Sequence, residues 1–479
     1  MTATELLALS PIIAAATLPV VLMLAIAVHR SPGLTLGLTL GGFGLVLALL
    51  WPAARVAPVQ VTPLLVIDGL ALLFIALATL AGAATALLAH AETAQGAEER
   101  EELPVLLTLA VLGACVLGAS RHFASLFLGL ELLSVSLFPL LAYSRRRPMA
   151  LEAAIKYLVL SSMAAGLLLF GIALLYAGSG SLDFAGIAEL IDAPTDIWAL
   201  GGLGLVLAGL AMKLSLAPLH WWTPDVYQGG GSAVIGFLAS AAKGAVIVVL
   251  LRLLAASGAH QQPAVITLVS TLAVLSMLAG NLLALLQGNL KRLLAYSSIA
   301  HMGYLLVAVL AAGTLAQEAV GFYLAAYIIT TLGAFGVVAL VGRDRDDPGD
   351  ADIERFRGLH LRSPWLAASL TLMLLSLAGL PISAGFVGKL YLLAVGVDAA
   401  LWLPLAVLVA SSIIGLYSYL LVIAVMFSTP KEPAIELAPA AITASGATGL
   451  ALLTLALLWL GVWPEPLIET IRAAIGAAP

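Results

Sequence analysis

Four ionisable side chains sit in sequence that offers them no water. Glu131 lies in Leu128-Gly129-Leu130-Glu131-Leu132-Leu133, and Lys213 in Gly209-Leu210-Ala211-Met212-Lys213-Leu214. Lys243 lies in Ala241-Ala242-Lys243-Gly244, and Lys389 in Gly385-Phe386-Val387-Gly388-Lys389-Leu390. At the centre of a membrane-spanning helix each charge costs about 2.5–3.5 kcal/mol, so four cost on the order of 10–14 kcal/mol, comparable to the net stability of a domain. Such a cost persists for a function or for a partner. A lysine taken out of water can release and retake its proton, and a nearby carboxylate opposes the release. Movement of Glu131 toward or away from Lys213 would then switch a proton on and off the lysine. The competing reading of Glu131 is a fixed ion pair, and that of Lys389 is an interfacial anchor. Lys243 cannot snorkel, because either interface is roughly ten residues, about 15 Å, away. Histidine is the other proton carrier suited to neutral pH. His301 reads as a relay or a hydrogen-bonded core residue, and His220, beside Pro218 and Trp221-Trp222, as a relay or a cap. Asp68, Arg121, His122 and Lys156 fall at or near helix ends, where capping or snorkelling is the default. Tyr296 and Ser297 read as interhelical hydrogen-bonding groups.

The elements that must hold these groups follow from composition. Of 479 residues, 62% are hydrophobic and only 10% charged, against roughly 45–50% and about 25% in a soluble domain. A water-soluble enzyme is excluded. The single cysteine, Cys115, excludes an intrachain disulfide, a Cys-rich zinc site and a cysteine-ligated iron–sulfur cluster. The net charge of -5 comes without a basic block, which argues against a nucleic-acid partner. Met1 to Glu5 lack the positive region of a cleavable signal, so the first apolar run is expected to be a retained span.

The apolar runs predict an all-α polytopic bundle of about fourteen transmembrane helices. Their limits fall near 6–28, 34–51, 64–90, 103–119, 122–142, 153–177, 197–219, 232–256, 263–286, 293–312, 317–342, 364–397, 400–427 and 443–463. Loops after odd-numbered spans hold Arg30, Arg100, Arg145, Arg146, Arg147, Lys291, Arg292, Arg343, Arg345, Arg355, Arg357, Arg362 and Lys431. The opposite side holds only Arg55, Arg121, Arg252 and Arg472, while Lys156, Lys213, Lys243 and Lys389 fall inside spans. The bias places the first set in the cytoplasm and both termini outside.

Two spans should be broken. The seventh ends in Lys213-Leu214-Ser215-Leu216-Ala217-Pro218-Leu219-His220, and the twelfth carries Gly379-Leu380-Pro381-Ile382-Ser383-Ala384-Gly385 near its middle. Broken backbone at membrane depth survives only when buried in protein or lining a wet cavity, and paired breaks point to an inverted-repeat transporter. The two breaks are five spans apart, an odd number, so equivalent helices run in opposite directions. The expected units are 1–102 (the first three spans), 103–256 and 257–427 (repeats of spans 4–8 and 9–13), and 428–479 (the last span). Gly201-Gly202-Leu203-Gly204 lies inside an apolar span with no strand before it, so a phosphate loop is excluded, and no HExxH or GxSxG motif is present.

Three segments together resemble the antiporter-like subunits of respiratory complex I. They are Lys213-Leu214-Ser215-Leu216-Ala217-Pro218-Leu219-His220-Trp221-Trp222-Thr223-Pro224-Asp225-Val226-Tyr227-Gln228-Gly229, Leu294-Ala295-Tyr296-Ser297-Ser298-Ile299-Ala300-His301-Met302-Gly303-Tyr304, and Gly379 to Lys389. The likeness covers spans 4 to 13. It implies a proton-translocating membrane-arm subunit of NADH:quinone oxidoreductase, beside antiporter-like paralogues in the lipid bilayer. In that family the matching positions Glu131, Lys213, Lys243 and Lys389 form a mid-membrane proton path, and His301 matches its histidine. No cofactor is implied in this chain, since NADH, FMN, iron–sulfur clusters and quinone belong to partner subunits. The alternatives are a subunit of a multisubunit cation/proton antiporter or membrane-bound hydrogenase, and a stand-alone solute permease.

Overall fold

With few polar side chains to bond to, the backbone of an apolar segment must satisfy itself, and helix is the local way to do so. The computed structural model describes residues 1–93, 101–143, 147–192, 197–341, 351–429 and 443–476. Arg100, Arg145, Arg146, Arg343, Arg345 and Lys431 of the orienting set lie outside the described residues. The first helices are α1 (Ala3–Val28), α2 (Pro32–Ala54), α3 (Gly69–Thr93), α4 (Leu103–Ala119), α5 (Phe123–Leu141) and α6 (Pro148–Ser179). Next come α7 (Ala188–Asp192), α8 (Ile197–Leu214), α9 (Trp222–Gly229), α10 (Ser232–Phe237) and α11 (Lys243–Ala256), a π-helical turn, Leu238–Ala242, joining the last two. The chain continues through α12 (Pro263–Ala284), α13 (Leu290–Ala311), α14 (Gly313–Val341), α15 (Leu359–Arg362) and α16 (Pro364–Ala378). It closes with α17 (Ala384–Asp398), α18 (Trp402–Phe427), α19 (Ala444–Val462) and α20 (Glu465–Gly476).

Among the described residues 11 helices are long and apolar enough to cross a membrane, counting Ser232–Ala256 as one, and three shorter apolar helices lie at Leu103–Ala119, Ala199–Leu214 and Pro364–Ala378. The fold is therefore all-α and polytopic. Ser232–Ala256 and α13 are almost wholly enclosed and α14 nearly so, whereas α1, α2, α6 and α18 show most of their surface outward. The enclosed helices carry Lys243 and His301. Close approach is set by glycine where backbones meet. A methyl group at Gly113 would sit 2.6 Å from Leu133 N on α5, and one at Gly280 2.6 Å from Ala300 N on α13.

Several expectations are corrected. The run at 197–219 is helical only to Leu214, after which Ser215 takes a left-handed backbone (φ 62°). A small hairpin, β1 (Val59–Val61) against β2 (Leu65–Ile67), precedes α3, so the expected span at 64–90 is helical only from Gly69. The last segment holds two helices, since Pro464 and the polar face of α20 end the apolar run of α19. Lys291 is not a loop cation. Asn289 caps α13 by accepting from Lys291 N and Arg292 N, which draws Lys291 into the first turn, fully buried. Arg252 likewise lies within α11, one turn before its end, rather than in a loop.

Candidate functional site

The long side chains anticipated as carriers are all held by helices. Glu131 is near the middle of α5, and Lys213 is in the last turn of α8. Lys213 Nζ lies 3.6 Å from Glu131 Oε1, too long for a hydrogen bond. It donates instead to Ser134 Oγ at 2.8 Å and Ser161 Oγ at 2.5 Å. Ser134 follows Glu131 by three residues and shares its helix face. Beside Lys213 is a cavity of about 30 Å³, lined by Ser134, Tyr157, Ser161, Trp222 and both Lys213 and Lys243 among apolar side chains. That space holds roughly two waters.

Lys243 is fully buried and donates to Ser298 Oγ at 2.9 Å. Its Nζ lies 5.4 Å above the Tyr227 ring, whose hydroxyl is 3.4 Å from the same serine. Ser298, His301 and Tyr304 recur every three residues along α13 and so present one face. His301 Nδ1 is 2.7 Å from the Tyr323 hydroxyl, with Tyr304, Tyr323 and Tyr327 packed around the ring. A further cavity of about 10 Å³ beside His301 reaches Thr330, Ser376 and Gly385.

Lys389 lies in α17, just beyond the interval between α16 and α17. Its Nζ donates to the Ala378 carbonyl at 2.8 Å, at the C-terminal end of α16, and lies 5.3 Å from the Tyr304 ring. Gly379 closes α16 with φ +79°, and Ser383 opens α17 by accepting from Phe386 N. Ser376 Oγ accepts the Gly385 N–H across the interval.

Glu131 and Lys213 are thus brought together, Lys213 and Lys243 share a cavity, and His301 and Lys389 meet around Tyr304. His220 stands apart. It is half-buried between α8 and α9, its ring 6.3 Å from Tyr296, and its Nδ1 has no hydrogen-bond partner among the described residues. Among the helix-end groups, Asp68 pairs with Arg252, Arg121 with Asp183, and Lys156 with Glu152 and Asp225. His122 caps α5 by accepting from Ala124 N, and Ser297 bonds Tyr419 at 2.6 Å. The linking hydroxyls of Ser134, Ser161, Tyr227, Ser298 and Tyr323 were missed in the sequence reading. The local signal was confined to Ser134, three residues from Glu131, and Ser298, three from His301; Ser161, Tyr227 and Tyr323 lie on other helices.

Fold and interior together define a multi-pass helical membrane protein with a row of buried basic side chains joined by hydroxyl groups. Residues 120–415 match the model of the NADH:quinone oxidoreductase/Mrp antiporter transmembrane family, and the chain belongs to that family. It is 49% identical over 475 residues to NADH-quinone oxidoreductase subunit N of Chromohalobacter salexigens, covering 98% of this chain and 99% of the relative. A chain of respiratory complex I from Thermus thermophilus superposes with a TM-score of 0.83 at 33% identity, covering 97% of this chain and 100% of that one. A chain of the Mrp complex from Dietzia shares the fold, with a TM-score of 0.86 at 22% identity over 99% of this chain and 97% of that one.

Proposed function

We propose that this chain is the proton-translocating subunit N of a bacterial inner-membrane NADH:quinone oxidoreductase, working beside antiporter-like paralogues. The observation that carries the reading is the buried row itself. Glu131, Lys213, Lys243, His301 and Lys389 follow one another through the bundle, separated by serine and tyrosine hydroxyls and by cavities of water size. Serine and tyrosine both donate and accept, so they can pass a proton between two amines without carrying a charge themselves. NADH, FMN, the iron–sulfur clusters and quinone are assigned to partner subunits.

The relay runs on the Glu131–Lys213 distance. Closure below 3.6 Å holds the proton on Lys213, and opening frees it toward the cavity shared with Lys243. From Lys243 it passes by Ser298 and His301 to Lys389 and the outside. Quinone reduction in partner subunits drives the distance change through the electrostatics of the buried row.

Fourteen spans follow when the three shorter apolar helices join the long ones and α16 and α17 count as one broken span. The same assignment makes α8 and α9 the other broken span and puts both termini outside. Two inverted repeats, 103–256 and 257–427, are supported by their matching openings. In each, the first two helices approach through a glycine on either side, Gly113 and Gly129 between α4 and α5, and Gly280 and Gly303 between α12 and α13.

The test is NADH-driven proton pumping by the assembled complex in vesicles. Lys213→Ala and Glu131→Ala should each lower the number of protons moved per NADH, and normal stoichiometry in both would refute the relay. A subunit of a multisubunit antiporter is the second reading, favoured by the close superposition on the Mrp chain. Copurification with flavin and iron–sulfur subunits separates the two.

A further inference from the structure

The helix carrying Lys243 is not uniform. It is α-helical over Ser232–Phe237, forms a π-helical turn over Leu238–Ala242, and is α-helical again from Lys243. A π-turn holds one residue more than an α-turn and disturbs the backbone ladder, so it needs outside support. In an α-helix the Lys243 N–H would bond the Ala239 carbonyl, four residues back. Here it bonds the Ser240 carbonyl, and the Ala239 carbonyl accepts the Tyr327 hydroxyl at 3.0 Å. Tyr327 comes from α14 and is buried, and its ring stacks on His301 with centroids 5.2 Å apart. One side chain therefore touches both the turn that aims Lys243 and the imidazole on α13.

We propose that Tyr327 is a positioning residue: its hydroxyl holds the Leu238–Ala242 turn in the π form and thereby aims Lys243 at Ser298. The inference rests on the reading of Lys243 as a proton carrier. If the turn relaxed to α, the extra residue would be absorbed and Lys243 would swing relative to α10 by roughly 100°. Ser298 Oγ, now at 2.9 Å, would fall out of its reach. The stack on His301 fixes the ring, so the turn and the imidazole cannot shift independently.

Tyr327→Phe in the assembled complex keeps the ring and its stack and removes one donor. Loss of one buried hydrogen bond changes the stability of the turn about fivefold. Amide hydrogen exchange across residues 238–243 should rise by that factor while exchange in the rest of α14 stays unchanged, and protons per NADH should fall. A packing role alone would move neither readout, because the phenyl ring is retained; an unchanged exchange rate or an unchanged ratio overturns the proposal. Tyr327 replaced by 3-fluorotyrosine, a stronger donor of the same shape, should slow exchange in the same segment. It decides the question if Tyr327→Phe does not assemble, unchanged exchange again being the refuting result. Lys243→Ala, measured alongside, separates the two claims. Normal pumping by Lys243→Ala refutes the carrier reading. Lost pumping there, with Tyr327→Phe behaving as wild type in both readouts, refutes only the role of Tyr327.

Discussion

Gly379→Ala separates the seat of Lys389 from its chemistry, because the substitution removes no ionisable group. Gly379 ends α16 in the left-handed region, φ +79° and ψ 43°. A methyl group built there meets Lys389 Cδ at 2.8 Å and its Cε and Nζ each at 3.1 Å. The backbone conformation alone costs an L side chain about 1–2 kcal/mol. Lys389 must also withdraw, which breaks its 2.8 Å bond to the Ala378 carbonyl, a charge-assisted bond of roughly 1.5–3 kcal/mol. The sum, about 2.5–5 kcal/mol, is within the ~5–15 kcal/mol of a folded domain, so the subunit folds with its lysine displaced. The far end of a lysine can give way, but backbone cannot. At Gly385 the same methyl group would lie 1.9 Å from the Ser376 carbonyl oxygen, so Gly385→Ala should fail to assemble. The assay is protons per NADH in vesicles, beside the melting temperature of the purified complex. Gly379→Ala should assemble, melt lower, and pump with a ratio close to that of Lys389→Ala. An assembled Gly379→Ala complex pumping with the wild-type ratio would sink the argument that the seat on α16 matters.

Two further outcomes concern helix ends. Burial pushes the Asp68 carboxyl up, but the Arg252 guanidinium and its hydrogen bonds outweigh burial and hold it below the ordinary carboxylate range. The stability it supplies is complete above that range and is lost as pH falls through the lowered value. Asp68→Asn should therefore cost about 3 kcal/mol at neutral pH by leaving the Arg252 charge without its carboxylate, with the gap to wild type narrowing below about pH 4; a pH-independent gap in thermal melts would contradict the sign. Glu92, at the end of α3, accepts from Ser232 N at 2.8 Å and Ala233 N at 3.0 Å, serving the start of α10. Glu92→Ala should destabilise by about 1–2 kcal/mol and Glu92→Gln by less, and a melting temperature equal to wild type in the alanine variant would refute the cap.

How much of this was legible in sequence depends on whether the signal was local. Helices were legible because long apolar runs admit few other structures, and Glu131, Lys213, Lys243 and Lys389 stood out by their cost in such runs. The proline and glycine of Gly379 to Gly385 marked an interval between helices from backbone chemistry alone. What was not legible depended on partners far along the chain. Ser161 lies 52 residues from the Lys213 it binds, and Ser298 lies 55 from Lys243. The π-turn has no local mark, since Leu238-Ala239-Ser240-Ala241-Ala242 is ordinary helix-forming sequence and its support comes from Tyr327, 88 residues on. Lys291 was misplaced for the same reason: its burial depends on the Gly230 carbonyl, which its Nζ reaches at 3.3 Å.

The partners chosen for the charges divide the interior from its ends. At helix ends, cations meet carboxylates: Arg252 with Asp68, Arg121 with Asp183, and Asp225 with both Lys156 and Arg292. A carboxylate favours only the charged form of a lysine or arginine, so these pairs hold their protons and serve as ties between helices. Deeper in the bundle the partners are neutral. Lys243 has Ser298 and the Tyr227 ring, and Lys389 has a backbone carbonyl and the Tyr304 ring. A serine hydroxyl accepts from an ammonium and can turn to donate to an amine, and a carbonyl accepts from either, so both protonation states keep a partner. A buried polar group that stays bonded in both states avoids the penalty of being orphaned when the proton leaves. Glu131 is the one acid in the row, and at 3.6 Å from Lys213 it stands just outside hydrogen-bond range. A row that had to stay charged would place carboxylates beside Lys243 and Lys389; the proposed relay is better served by the hydroxyl and carbonyl found there, with a single acid at one end.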